Sequence, residues 1–564
     1  MNLLSSCFSD KNYLRERTCR YEWLIDSNTL SGNYYFDVNV TDGNKVGTDS
    51  SNNALTVIAC TIPYNGILLS ADTNLCYGTY SLAGSATGAI QFNASGVAGN
   101  PITLDCHRAT ILGNGASGNY GLYASSKSYL EVKNCAIVNY NAGNMYFGAA
   151  SHVLLQDVNA DNNASIGINF STAPLADLNF VRVSSNNHAE GLRFWANVSN
   201  VNIIDSNFMN NSSYGVNIGG TSIDINFYNV NSSGASTGLY AGALMTRGSF
   251  SNCTLSNLGS GIYTQAATSI TVRDVNADAV GGNGILFYNS SSDLNLLRVS
   301  GNRRTSGLVF WGSGTISKVK VIDSNFIGCA YAIKSGPLLS DLNVCGTNLS
   351  GATDYSVYGY AAISKASFCN DTNLLNSANG FYLDSNNTIT GFDFAKFNIP
   401  GIVLAITGSH NLFQDLNVSK TGTAAGTGML FSYTSGTIAD NNIVRVDFTN
   451  RPIAMQLWGA ATKTGFKIVD SNFVGNTSYG VYGGLADSNI SHNLFKNTAY
   501  GINLTISNMK IKSNNFVTNT VNVYTTGIVS DANGNYWSNL SPCPGSGYTF
   551  TGGTDYTPVC SQIP

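Results

Sequence analysis

The chain is 564 residues long, carries a formal charge of −4, and has only 11% charged residues, where a soluble domain commonly has about 25%. So sparse and slightly acidic a charge excludes electrostatic capture of nucleic acid or of an anionic membrane, and no run of about twenty apolar residues is present to span a bilayer as a helix. A hydrophobic content of 43% excludes a disordered chain, while 71 Asn and 59 Gly with few strong helix formers point to β structure rich in turns.

Residues 1–57 show no repeat. They read as an N-terminal cap or assembly segment, with Arg15 to Phe36 either shielding the strands that follow or joining copies end to end. The opening MNLLSSCFSDKNYLRERTCRYEW lacks the basic, apolar and small-residue succession of an export signal. The twelve cysteines form neither Cys-x-x-Cys nor a zinc spacing, which favours disulfides in an oxidising compartment, outside the cell or at its surface. Cys60 with Cys76, and Cys543 with Cys560, are candidate pairs. Asn-x-Ser/Thr sequons exceed the chance number only slightly, so glycosylation is permitted rather than indicated.

Residues 58–541 read as one repeat region, in which a unit of Gly followed by alternating apolar residues recurs from Gly121 onward. It reads YGLYAS at Gly121, AGNMYF at Gly143, IGINFS at Gly167, EGLRFW at Gly191 and YGVNIG at Gly215. It continues through Gly238, Gly261, Gly284, Gly307, Ala332, Ser356, Gly380, Gly401, Gly428, Ala454, Gly480, Gly501 and Val521, with a step of about 23.5 residues. A second strand-like segment keeps the same step, as in FVRVSSN, IIDSNFM and FYNVNSS. Two or three short strands per step, polar turns and no helix predict an all-β chain, a right-handed parallel β-helix of 18 or more coils. Alternation sets the facing: Leu192 and Phe194 inward, Arg193 and Trp195 outward.

A longer period groups the coils into three cassettes. Asp157, Arg182 and Asp205 should stack in successive coils, as should Asp274, Arg298 and Asp323, and Asp415, Arg445 and Asp470. The plain reading is a charge ladder that fixes coil register. The catalytic reading makes Asp157, Arg182 and Asp205 a lyase-like set that binds Ca²⁺ and abstracts a proton. Three equivalent copies argue against that reading, and no other cofactor is implied.

Outward aromatics form the second constellation: Trp195, Trp311 and Trp458, with Tyr240, Tyr263, Tyr288, Tyr358, Tyr360, Tyr382 and Tyr482. Such rings suit sugar faces or packing against protein. The five His are scattered without a triad, and no phosphate loop is present.

The segments ACTIPYNGILLSADTNLCYGTY, ITLDCHRATILG, YGLYASSKSYLEVKNCAIVNY and the closing GNYWSN resemble pectate-lyase-like right-handed β-helix proteins. Within these they are most similar to the carbohydrate-binding and sugar-hydrolase β-helix domains of surface proteins. The resemblance covers about residues 58–541 and implies the fold. It carries over no catalytic residue, since no Asp-Pro-His and no isolated calcium-type Asp cluster is present. Residues 542–564 read as a C-terminal cap or tail. The expectation is an extracellular or cell-surface rod, structural or adhesive, contacting polysaccharide or surface glycan and associating with itself as an oligomer or filament. The alternatives are a polysaccharide lyase or glycoside hydrolase, and a viral tailspike or fibre.

Overall fold

The computed structural model describes residues 60–564 except 163–164, 257–258, 280, 360–361, 370–371, 398, 421–425, 541–546 and 564. Before residue 60 it describes only the backbone of six short strands. These pair antiparallel: Leu3–Cys7 with Cys19–Trp23, Gly32–Tyr34 with Leu55–Val57, and Asp37–Thr41 with Val46–Ser50. The remainder of the expected N-terminal cap lies outside the described residues.

From Ile67 to Trp537 the strands run parallel to their neighbours one coil before and after, through about 20 stacked coils. Each coil contributes three rows. The first carries the glycine mark, as in Glu190–Phe194 between Ile166–Phe170 and Tyr214–Ile218. The second runs through Leu175–Ser184, Val198–Ile204 and Ser222–Tyr228. The third begins as strands, Thr79–Ser81 and Thr110–Leu112, continues as a column of single bridges such as Ser184 to Asn207 to Asn231 to Thr254 to Asn276, and widens again into strands at Asn472–Val474, Leu494–Lys496, Asn515–Val517 and Tyr536–Trp537. The one helical turn among the described residues is the 3-10 turn Phe394–Lys396.

The facing follows the alternation. Leu192 and Phe194 are fully buried, Arg193 is half-buried and Trp195 is exposed. Inward aromatics stack coil on coil, as in Phe448, Phe473, Phe495, Phe516 and Trp537, whose ring centres lie 4.9, 4.7, 5.1 and 4.5 Å apart. The mark itself is a close approach: a Cβ on Gly191 would sit 2.6 Å from Asn211 Nδ2 and 2.7 Å from the Gly215 oxygen. Register corrects three of the marks. Tyr120 pairs with Gly143, Phe381 with Leu404 and Tyr500 with Val521, so the residues in the glycine column are Asn144, Val403 and Asn522. Asn144 fits there, fully buried, by accepting from Tyr140 N at 3.0 Å and donating to the Ala160 oxygen.

The corners have a uniform cause. Residues with φ near +50° to +65° recur five apart, as at Asp177, Arg182 and Asn187, then Asn200, Asp205 and Asn210, then Asp293, Arg298 and Arg303. Asn and Asp tolerate this left-handed region better than other side chains. Three residues after the middle corner, a carbonyl is met from inside the core by a side chain of the next coil. Ser185 O accepts from Asn211 Nδ2 at 3.2 Å, Leu349 O from Ser377 Oγ at 3.2 Å and Phe495 O from Asn519 Nδ2 at 2.9 Å. A buried carbonyl needs such a donor, and this need explains the polar residues inside the rod.

Two buried asparagine ladders extend the same logic. In Asn387, Asn411 and Asn441, and in Asn493, Asn514 and Asn535, each Nδ2 donates to the next Oδ1 at 2.8–3.1 Å. The second ladder ends on Asp555, in the antiparallel hairpin Tyr548–Phe550 with Gly553–Asp555. Its buried carboxylate accepts from the backbone N of Gly534, Asn535 and Thr557, from Asn535 Nδ2 and from Trp537 Nε1. Asp555 therefore closes the last coil.

Disulfides join Cys60 to Cys76, Cys106 to Cys135 and Cys345 to Cys369. Cys560 is also disulfide-bonded. Cys543, its candidate partner, lies outside the described residues. Cys253 and Cys329 are buried free thiols, each pushed up to about 11 by burial.

Replacing Asp555 with Ala leaves several buried donors without an acceptor, at about 1–3 kcal/mol each. We predict a loss of about 3 kcal/mol or more in urea denaturation. Hydrogen exchange should rise first in residues 489–537, because solenoid ends open locally. Lys510→Ala, at an exposed strand position, should change stability by less than about 0.5 kcal/mol.

Candidate functional site

The expected charge column stands at the middle left-handed corner of successive coils, with φ +54° at Asp157, +51° at Arg182 and +50° at Asp205. Contact within it is one-sided. Arg182 Nε and Nη2 donate to Asp157 Oδ1 and Oδ2 at 2.6 and 2.8 Å. Arg298 repeats this on Asp274 at 2.6 and 2.8 Å, and Arg445 on Asp415 at 2.5 and 2.9 Å. Among the described residues no ion-pair contact joins these arginines to Asp205, Asp323 or Asp470. Asp205 instead accepts from Asn229 Nδ2 at 2.7 Å. A fourth bidentate pair, Arg247 on Asp224, stands on the neighbouring corner column; only its 23-residue spacing marked it in the sequence.

These pairs are solvent-exposed. The Arg182 hydrogen bonds hold the Asp157 carboxyl below its ordinary value, and those of Arg445 hold Asp415 at about 2. A carboxylate with both oxygens on a guanidinium is a poor general base. The geometry is that of a clamp on coil register. It does not offer the free, converging oxygens that Ca²⁺ takes.

Sequence reasoning missed a buried base in each cassette. His188, Arg304 and Arg451 sit six residues after Arg182, Arg298 and Arg445 and seven before Trp195, Trp311 and Trp458, and all three are buried. They bond equivalent carbonyls of the preceding coil: His188 Nε2 to Ala160 O at 2.7 Å, Arg304 Nε to Ala277 O at 2.8 Å, and Arg451 Nε to Val418 O at 2.9 Å. Arg304 also reaches Gly281 O, and Arg451 reaches Ile399 O and Ser419 O. Burial pushes both guanidinium groups down to about 10. The repeated spacing was the available signal.

The tyrosines of the first row are half-buried because they stack on one another. Tyr240 lies 5.0 Å from Tyr263, Tyr263 lies 6.1 Å from Tyr288, and Tyr358 lies 5.1 Å from Tyr382. The rings cover one another, and the Tyr263 hydroxyl donates to Gln265 Oε1 at 3.0 Å. Tyr482 packs likewise on Tyr479, at 4.4 Å. Tyr360 lies outside the described residues.

The tryptophans differ. Trp195, Trp311 and Trp458 are 61%, 42% and 56% exposed. Register places Gly219, Gly336 and Gly484 beside them in the following coil. A Cβ on Gly336 would come within 2.8 Å of Trp311 Cε3, so only glycine lets the ring lie down on the rod. A cation flanks two of them: Arg193 lies 5.1 Å from the Trp195 ring, and Lys334 lies 5.3 Å from Trp311 and 4.5 Å from Tyr331.

Because the paired aspartates have lowered values, their contribution to stability is complete above the ordinary carboxylate value of about 3.9. It is lost as pH falls toward the folded value, about 2 at Asp415. Replacing Arg182, Arg298 and Arg445 together with Met should lower the urea midpoint at pH 7, and the difference from the parent should vanish near pH 2. A difference of the same size at both pH values would contradict the ion-pair account.

Among the described residues no group of three or more His, Cys, Asp or Glu converges as metal ligands. Among the described residues no helix is long and apolar enough to cross a membrane. Two family models match the chain. The one described as the right-handed beta helix region covers residues 190–337, and the one described as periplasmic copper-binding protein (NosD) covers residues 338–556. Among the described residues the side chains do not assemble a ligand group for the copper in that second description. No curated protein and no solved structure matches the chain. The two models abut along continuous parallel coils, and the chain belongs to the right-handed parallel β-helix superfamily.

Proposed function

We propose that this chain is a rigid rod working outside the cytoplasm, whose surface holds polysaccharide without cleaving it. The observation that carries the reading is the threefold tryptophan platform. Each ring stands at the same place in its coil, is exposed, and has a glycine beside it in the next coil. With coils about 4.8 Å apart, the platforms stand about 24 and 29 Å from one another along one edge, a spacing that suits a long chain of sugar rings. The three disulfides with assigned partners favour an oxidising compartment, and the matching periplasmic family description agrees with it. The Asp-Arg clamps leave Asp157, Asp274 and Asp415 without a free oxygen pair for acid–base work, which favours a binder over a lyase or hydrolase.

Affinity electrophoresis through gels containing neutral and acidic polysaccharides tests the reading. The chain should be retarded by at least one polymer, and replacing Trp195, Trp311 and Trp458 with Ala should weaken retardation at least tenfold. New reducing ends, or ultraviolet absorbance from unsaturated products, would overturn it in favour of an enzyme.

A further inference from the structure

The first-row outer face loses its tyrosines in several runs, and one of these runs is three polar side chains long. Along a single cross-strand row the residues run Tyr123, Tyr146, Asn169, Arg193, Asn217, Tyr240, Tyr263. Three polar side chains thus interrupt two tyrosine stacks, and the interruption lies beside Trp195, the most exposed of the three platforms.

The polar groups are tied to one another. Arg193 Nε donates to Asn169 Oδ1 at 3.3 Å and lies 3.8 Å from Glu190 Oε2, to which Asn217 Nδ2 donates at 3.1 Å. Two valences stay open. The terminal amino groups of Arg193 make no hydrogen bond among the described residues. Asn217 is 4% exposed, and among the described residues its Oδ1, closed to solvent, has no donor. A buried acceptor without a donor is costly, and an incoming hydroxyl would relieve it.

We propose that Asn169, Arg193, Asn217 and Glu190, with Trp195, form a subsite for one neutral pyranose unit of a glycan. This rests on the glycan reading above and specifies its ligand. The pairing of Arg193 with Glu190 cancels the local charge and turns a carboxylate ligand away. A sugar hydroxyl both donates and accepts: one hydroxyl of the ring accepts from the Arg193 amino groups, and its neighbour donates to the Asn217 oxygen, which the side chains around it must shift to uncover. The ring's C–H face then lies on Trp195. The other platforms lack this arrangement. The same row holds Leu286, Val309 and Lys334 near Trp311, and Leu430, Gln456 and Tyr482 near Trp458.

The test uses the full-length chain with Trp311 and Trp458 replaced by Ala, titrated calorimetrically with cellohexaose, mannohexaose and hexagalacturonate. A neutral hexaose should bind with an affinity that does not change from low to high salt, and hexagalacturonate should not bind. Asn217→Val should weaken binding at least tenfold with an unchanged melting temperature, because Val309 occupies the same row position in this fold. Arg193→Met should weaken it similarly, which guards against misfolding of the first variant. Binding that survives both variants, binding of hexagalacturonate alone, or no binding of any hexaose would overturn the subsite. If the subsite variants have no effect while the triple tryptophan variant still loses polysaccharide, only this inference fails. If the triple tryptophan variant binds as the parent does, the glycan reading fails with it.

Discussion

The structure depends on one constraint: every coil must offer its neighbours the same backbone, in register, at about 4.8 Å. Corners must therefore bend alike, and they do so through left-handed residues five apart. At these places a non-glycine side chain is strained, and Asn and Asp are the least penalised. The abundance of Asn is thus a consequence of stacking, since the same side chain that tolerates the corner can also bond to its copy above and below. The Asp157–Arg182 clamp shows the rule at its limit. An arginine at φ +51° is an unusual tenant, and its bidentate grip on the coil below stabilises that conformation.

Regular stacking also sets what the core must contain. A parallel sheet wound into a tube directs some corner carbonyls inward, where no water reaches them. Ser, Thr, Asn and, once per cassette, His188, Arg304 or Arg451 supply the donors. The long guanidinium stems of Arg304 and Arg451 also reach carbonyls that short side chains would leave unmet. A buried cation is costly by itself. It persists here because several backbone oxygens surround it, and the same solution recurs at the same distance from a tryptophan in each cassette. The interior donor and the surface platform thus keep one fixed spacing, seven residues, at all three places.

Much of this was legible in the residues. The period of about 23.5 and the alternation after each glycine determine stacking and facing, because a strand's side chains must alternate whatever its neighbours are. The register errors at Gly143, Gly401 and Val521 show which signal is the stronger. Met145 and Phe147 alternate from Asn144, and Leu404 and Ile406 alternate from Val403, so apolar alternation outranks the glycine itself. The charge column was readable because opposite charges one coil apart leave a fixed spacing. Its one-sided contact was not, since spacing does not say which way an arginine reaches. The buried bases were hidden for a related reason: in a chain so rich in polar residues, an Arg beside Asn and Ser reads as surface. Nothing in local composition announces the inward carbonyl that requires it.

A repeat protein builds its outer face from rows, and a uniform row is chemically monotonous. Tyrosines stacked one above another satisfy themselves: their faces are used up, and each ring is the partner of the next. Recognition of something else needs a break in the row, where a side chain has lost the neighbour that its position would ordinarily supply. The run Asn169, Arg193, Asn217 is such a break, and its open oxygen and open amino groups follow from it directly. Specificity in this fold therefore arises by departure from the repeat, while stability comes from adherence to it. The two pressures act on different faces of the same strand, since Leu192 and Phe194 keep the inward pattern through the very segment where Arg193 and Trp195 abandon the outward one.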